Sequence, residues 1–174
     1  MKDVAIRPIT PQDVETAARF ISLVNTGEAT MFPDLAGTRA EITQMATRIV
    51  ESGLPAFTLR LYEGEGRICG FIALSPDNPS LLLGPLLHIG DWAGHADAMF
   101  RALINAVGPA DYQTRSGTDT FSVHFFPANR NMHAFVLRHD GRVVSADSRE
   151  YAERNSAAMP RTTSLMCGLI PFGR

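Results

Sequence analysis

The stretch Leu81–Ile89 restricts the fold of this chain more than any other segment. It reads Leu-Leu-Leu-Gly-Pro-Leu-Leu-His-Ile, apolar almost without a break. A strand with one wet face alternates polar and apolar residues. A strand with no alternation is buried on both faces and needs a layer of structure on each side. Nine residues are far too few to cross a bilayer. The segment that follows supplies one covering layer. Trp92, Ala96, Met99, Phe100, Leu103 and Val107 share one face at helical spacing. The pattern therefore predicts a buried strand, a tight turn over Asp91–Ala96, and an amphipathic helix. Met99, Phe100 and Leu103 read as core, and Trp92 as a core or interface anchor.

The rest of the chain can be read in the same terms. Val4–Ile9 reads as a first strand. Thr10 then offers an N-cap, with Pro11 at the first helical position and Asp13 in the first turn. Val14, Ala17, Ala18, Ile21 and Val24 make one helical face, ending near Asn25. Residues 25–37 are irregular, punctuated by Gly, Pro and Asp. Thr38-Arg39-Ala40-Glu41 has the capping-box pattern and opens a second helix, which Gly53 and Pro55 stop. Phe57–Leu61 alternates as a strand, Glu63–Gly66 is a hairpin turn and Arg67–Leu74 is the returning strand. After Leu81–Ile89 and its helix, Gly108-Pro109 reads as a stop. Phe121–Phe125 is a strand and Asn129–Asp140 a helix with Gly141 just past its end. Arg142–Ala146 and Thr163–Ile170 are strands, separated by a polar loop over 147–161.

Composition narrows the classes of function. A length of 174 residues suits one domain, residues 1–174, able to bury a core without staples. The net charge of −2 leaves no electrostatic footprint for nucleic acid, and no run of like charge suggests a membrane patch. The start, Met1-Lys2-Asp3-Val4, lacks the apolar core of a signal peptide, which points to the cytoplasm. Cys69 and Cys167 are not a CxxC pair and read as small core residues. The five histidines form no HExxH, so no metal site is expected.

The element order β-α-α-β-β-β-α-β-α-β-β, with the turn at Asp91–Ala96, resembles the GNAT superfamily of N-acetyltransferases over essentially the whole chain. The resemblance implies an α/β (α+β) fold. Its central sheet is mixed, mostly antiparallel, splayed between strands four and five and flanked by about four helices. The family's central motif, Gln/Arg-x-x-Gly-x-Gly/Ala, lies where this chain has Asp91-Trp92-Ala93-Gly94-His95-Ala96. Gly94 and Ala96 match it and Asp91 does not. Free N–H groups at a helix start attract anions. The resemblance therefore implies that Ala93, Gly94, His95 and Ala96 bind the pyrophosphate of acetyl-CoA or another acyl-CoA. Leu86, Leu87 and His88 match the strand whose backbone pairs with the pantetheine arm. Asp91 sets up two alternatives. It either repels phosphate, or caps the helix and occupies the N–H groups that phosphate needs.

A second stretch, Asn131-Met132-His133-Ala134 through Gly141, resembles the family's Asn-x-x-Ala motif and assigns Asn131 to the cofactor. The tyrosine that protonates the leaving thiolate in many members is replaced by Leu137 or Arg138. His88 and His124, on the two strands that flank the expected cleft, are the candidate bases, because histidine exchanges protons near neutral pH. Asp119 and Glu28 are weaker candidates. The resemblance places the amine acceptor between residues 25–37 and the loop 147–161. There Glu28 and Asp34 would suit a cationic amine, and Arg149 and Arg154 an anionic one. A small-molecule or peptide amine is expected, and family members often form homodimers. The competing expectation is a GNAT-like module that binds a CoA ester or a protein partner without turnover.

Overall fold

The computed structural model describes residues 3–62, 66–146 and 164–172. Among them lie seven strands and five α-helices. In chain order these are β1 (Val4–Pro8), α1 (Val14–Val24), α2 (Arg39–Ser52), β2 (Ala56–Leu61), β3 (Ile68–Leu74), β4 (Leu82–Leu87), α3 (Trp92–Val107), α4 (Pro109–Ser116), β5 (Thr120–Phe125), α5 (Arg130–Arg138), β6 (Arg142–Ala146) and β7 (Leu165–Pro171). The predicted elements are all present. Most of the predicted turn at Glu63–Gly66 and the whole loop 147–161 fall outside the described residues, as does Thr163.

Helix starts follow the expected chemistry. Asp13 accepts the Thr10 N–H at 2.9 Å and also pairs with Arg60 on β2, which pins the start of α1 to the sheet. At α2 the Glu41 N–H donates to the Thr38 hydroxyl at 3.2 Å, and the Thr38 N–H donates to Glu41 at 2.7 Å.

Strands β1 to β4 form an antiparallel sheet in chain order, and β5, β7 and β6 form a second. Every residue of β3 and β4 is buried. Successive side chains point to opposite faces, so both faces must be covered. Helix α1 packs on β3 and β4, and α3 packs on β2, β3 and β4. Complete burial places these two helices on opposite faces. The fit under α3 is close: a Cβ on Gly70 would sit 2.5 Å from Leu87 Cδ2 and 3.1 Å from Met99 Sδ. Phe100 on α3 packs edge-on against Phe121 of β5 and Phe135 of α5, at 5.6 and 5.3 Å between centroids. That joins the two sheets through one helix, each such pair adding about 0.5–1.5 kcal/mol beyond simple burial. Asp97 reinforces the joint by accepting from Arg138 at 2.8 Å and from His139 at 2.9 Å.

Among the described residues one isolated bridge joins the two sheets. Leu81 bridges Ser122 in the parallel sense, and the Ser122 N–H donates to the Ser80 carbonyl at 2.8 Å. Beyond it no ladder joins β4 to β5 among the described residues, and the strands part as expected.

One helix was not expected. Gly108-Pro109 does end α3, but it also begins α4. Proline at the first helical position loses no hydrogen bond, because that N–H has no acceptor in any helix. Gly108, at φ +69°, takes the bend between the two helices. The five helices thus exceed the expected four by α4. Its anchor is Tyr112, which is buried, stacks on Phe172 at 4.9 Å and donates its hydroxyl to the Thr120 carbonyl at 2.9 Å. Burial pushes its phenol up to about 12. Among the described residues no helix is long and apolar enough to cross a membrane.

Tyr112→Ala should destabilise the protein by about 3–5 kcal/mol through the cavity it leaves. Tyr112→Phe should cost only about 1 kcal/mol for the lost hydrogen bond. Urea unfolding of both variants measures the difference, and equal losses would contradict the packing role.

Candidate active site

The parting of β4 from β5 exposes one edge of a buried strand. The His88 N–H donates to the Cys69 carbonyl on β3 at 2.8 Å. Backbone direction alternates along a strand. Leu86 and His88 therefore point their backbone groups at β3, whereas Leu87 points its N–H and C=O into the opening. Of the expected backbone partners Leu86, Leu87 and His88, only Leu87 has polar groups free to pair with something lying there. Two residues earlier Pro85 has no N–H to leave unpaired. Gly84, at φ +100°, lets β4 bend: a Cβ there would lie 2.6 Å from the Phe71 carbonyl oxygen.

Strand β4 runs on into the start of α3. Asp91 caps that helix from a left-handed backbone conformation, φ 53° and ψ 55°, and its carboxylate accepts the Gly94 N–H at 3.3 Å. The capping alternative is thus the one observed for that N–H group. Gly94 has a local reason to be glycine, since a Cβ would lie 2.5 Å from Asp91 Oδ2. Trp92 and Ala93 still present N–H groups with no acceptor inside the helix. The His95 N–H is already committed to the Asp91 carbonyl at 3.2 Å. The His95 side chain is half-buried, and Ala96 is buried in the core. Trp92 packs edge-on against Phe135 at 6.1 Å, as an anchor of α5.

A cleft of about 720 Å³ opens between α1 and the ends of β3 and β4. Its walls include Phe20, Leu23 and Leu87, and its polar residues include Arg19, Arg67 and His88 beside three threonines, Thr16, Thr26 and Thr30. His88 is exposed there. Apolar walls with cationic groups suit an elongated ligand that carries an anionic group.

A second group of side chains forms across the opening. Asn25, buried at the end of α1, donates to the Phe32 carbonyl at 3.0 Å and accepts the Phe32 N–H at 2.7 Å. This folds the irregular stretch back on itself. Buried Phe32 and Leu35 then anchor a single 3-10 turn, Pro33–Leu35, which touches both β4 and β5. The turn presents Asp34 to His124 on β5, with Oδ2 2.8 Å from Nδ1 and side chains 14 % and 18 % exposed. His124 stands directly opposite Cys167 of β7 in the strand register. Burial works against the charged ring. The Asp34 and Cys167 contacts outweigh it and lift the pKa to about 9. At neutral pH the imidazole thus carries its proton and has no lone pair with which to deprotonate an amine.

The two cysteines differ. Cys69 is a buried core residue as expected, its thiol 3.5 Å from the Leu59 carbonyl. Cys167 is only half-buried, and its partner is a histidine. Neither its register nor Asn25 was visible in sequence spacing, because the partners are far apart along the chain.

The remaining candidates are dispersed. Asn131 lies exposed in the first turn of α5. The asparagine that caps this helix is Asn129, buried, accepting the Met132 N–H at 3.2 Å. Of the positions where the resemblance expects tyrosine, Leu137 is exposed and Arg138 is held by Asp97. Asp119 accepts from the neighbouring Thr120 hydroxyl at 3.1 Å, and Glu28 is exposed. Arg149 and Arg154 lie outside the described residues. Among the described residues, no group of three metal-ligating side chains could hold an ion.

Neither a protein-family model nor a curated protein matches the sequence. Solved structures do match the fold. The chain is similar to a diaminobutyrate acetyltransferase from Paenibacillus lautus, solved with L-2,4-diaminobutyric acid and coenzyme A. The TM-score is 0.62 at 18% identity, over 100% of this chain and 98% of that one. It is similar to a spermidine N-acetyltransferase from Vibrio cholerae, solved with CoA and spermine, with TM-score 0.61 at 11% identity over 97% and 95% of the two chains. An acetyltransferase of the GNAT family from Streptococcus pneumoniae gives 0.60 at 14% identity over 97% and 99%. The chain has the fold of the GNAT acetyltransferases.

The His124–Asp34 pair has a pH signature. His124 has a folded pKa of about 9, above the unfolded value of 6.5, so the pair stabilises fully below pH 6.5 and loses that contribution as the pH rises through about 9. Asp34→Asn should lower urea-unfolding stability by about 2–3 kcal/mol on the acid side of this window. The gap should shrink on its alkaline side, and a gap independent of pH would contradict the ion pair.

Proposed function

We propose that the chain is an acyl-CoA-dependent N-acyltransferase, with acetyl-CoA as the natural first donor and a small-molecule or peptide amine as acceptor. The observation that carries this reading is the continuity of one open strand edge with one helix start. Leu87 offers a donor and an acceptor toward the opening, where the amide groups of a pantetheine arm can pair as an added strand does. A few residues on, the Trp92 and Ala93 N–H groups and the small Gly94 suit a pyrophosphate. The cations Arg19 and Arg67 in the adjoining cleft favour the same charge. Similar solved structures carry CoA and amines, which supports the donor and acceptor classes.

The reaction needs an amine held against the thioester carbonyl and a donor for the oxyanion. A backbone N–H on the open edge of β4 can supply that donor. With His124 protonated, His88 at the exposed end of β4 is the remaining base of the two. Asn131 stays a candidate for the cofactor arm through its exposed side chain. No metal enters this scheme. The same reading makes residues 1–174 one domain working in the cytoplasm, where acyl-CoA is supplied, and open to forming a homodimer.

One observation favours a second reading, a module that binds a CoA ester or a protein partner without turnover. The Asp91 carboxylate sits on the Gly94 N–H, one of the groups a phosphate would use. Calorimetric titration with acetyl-CoA tests the donor: saturable binding is expected, and none at millimolar ligand would refute both CoA readings. Release of CoA thiol with a panel of amines then separates enzyme from module. Asp91→Asn keeps the cap and the left-handed conformation while removing the charge. It should tighten acetyl-CoA about tenfold, a charge effect within the ~1–4 kcal/mol range for a partly solvated pair. Unchanged affinity would mean that the carboxylate does not face the phosphates.

A further inference from the structure

The cleft between α1 and the ends of β3 and β4 is charged in one sense only. Arg19, Arg67 and His88 line it with three threonines, and no aspartate or glutamate is among its described lining residues. Both arginines are exposed, and neither is in an ion pair with another described residue. The sheet sets where His88 points. A Cβ on Gly70 would meet both Leu87 Cδ2 and Met99 of α3, so the Leu87 side chain turns toward α3. Alternation turns the His88 side chain the other way, toward α1, while its N–H stays in the ladder with β3. The histidine and the two arginines thus share a cleft on the α1 face. The helix whose start suits a pyrophosphate packs on the opposite face. The two carboxylates that would suit a cationic amine are not in this cleft: Asp34 is bonded to His124, and Glu28 is not among the lining residues.

We propose that this cleft receives the acceptor, and that the acceptor is a small amine that also carries a carboxylate, held by Arg19 and Arg67 with its nitrogen turned to His88. The proposal deepens the acyl-CoA reading and rests on it for the donor. A guanidinium is a planar fork of N–H donors that matches a carboxylate through two parallel bonds. Phe20, Leu23 and Leu61 give the apolar body of such a molecule a wall to lie on. The cleft volume of about 720 Å³ falls within the usual range of small-molecule sites. A polyamine would set its further ammonium groups beside two guanidinium groups with no lining carboxylate to offset them. The cleft also meets the donor: Leu87 lines it, and the same residue turns its backbone N–H and C=O into the opening between β4 and β5.

The transfer balances with such an acceptor. The ammonium gives one proton to His88, which passes it to solvent. The free nitrogen attacks the thioester carbonyl and forms the C–N bond. The bond from carbon to the CoA sulfur then breaks, and a second proton from the nitrogen ends on that sulfur. Acyl-CoA and the amino carboxylate become an N-acyl carboxylate and free CoA thiol. The carboxylate takes no part in these steps. Its use is to fix the acceptor in one orientation, so that nitrogen rather than the carbon body lies toward β4.

The test compares matched acceptors on the intact chain with acetyl-CoA, reading release of CoA thiol. Leucine, phenylalanine and aminocaproate supply the carboxylate. Leucinamide, isoamylamine and phenethylamine keep the body and the amine without it. Spermidine and phosphoethanolamine represent the polyamine and the phosphate alternatives. The best carboxylate should exceed its uncharged counterparts in kcat/KM by about tenfold or more, and added salt should shrink that ratio because both arginines are exposed. Arg19→Gln and Arg67→Gln should each raise KM for that carboxylate about tenfold while the Kd of acetyl-CoA stays as it was. Exposure of both side chains leaves the core intact in these variants. Equal use of acids and amides overturns the proposal, as does a preference for spermidine or phosphoethanolamine. So does a loss of acetyl-CoA affinity in the arginine variants with no change in acceptor KM, which would assign the two side chains to the CoA phosphates. Calorimetry with each carboxylate alone separates this proposal from the reading beneath it. If acetyl-CoA binds and no carboxylate of the set binds or turns over, the acyl-CoA reading stands and the carboxylate acceptor falls. If a carboxylate binds, weakens with Arg19→Gln, and acetyl-CoA does not bind, the carboxylate cleft stands and the acyl-CoA reading falls.

Discussion

Strand β4 is sealed on both faces, yet among the described residues it is paired beyond Leu81 along one edge only. The backbone groups on its other edge have no strand partner among the described residues. A buried N–H or C=O without a partner costs about 1–3 kcal/mol, so such an edge persists only where water or a ligand can reach it. The local sequence limits that cost. Pro85 has no N–H to leave bare, and Gly84 lets the strand bend where a side chain would strike the Phe71 carbonyl. Helices α1 and α3 cover the two faces, and what remains is a slot lined on one side by Leu87.

Two demands meet at the start of α3. A helix start has N–H groups to satisfy, and a site for anions needs some of them unsatisfied. In this chain Asp91 and Gly94 settle part of the competition locally: the carboxylate caps Gly94, and glycine leaves room for it. Trp92 and Ala93 keep their N–H groups. Removing the Asp91 charge therefore asks a different question from removing its cap, since the two act on different partners.

On the opposite wall, the Asp34–His124 pair depends on contacts from two separate parts of the chain. Asn25 folds the stretch after α1, Phe32 and Leu35 bury it, and Asp34 is carried to β5 as a result. The burial that desolvates His124 opposes its charge, and the carboxylate and the thiol overcome that opposition. The same histidine read in isolation is a base for neutral pH; set beside Asp34 and Cys167 it is held in its charged form.

Much of this was legible before any coordinate. Apolar periodicity marked α1, α2, α3 and β4, and capping residues marked the helix starts, because both are local effects acting within a few residues. Helix α4 was hidden because Gly108-Pro109 satisfies the rules for a helix end and a helix start alike, and only the burial of Tyr112 selects the second. Asn129 rather than Asn131 caps α5, and spacing does not show which of two asparagines caps a helix. By itself the sequence determined the order of elements, the two-sided burial of β4 and the capped turn that follows it. Tertiary structure alone decided which edge of β4 stays open, which backbone groups face it, and that Asp34, His124 and Cys167 meet. Those outcomes depend on strand register and on loop closure between residues up to 133 positions apart (Asp34 and Cys167), distances over which local preferences carry no information.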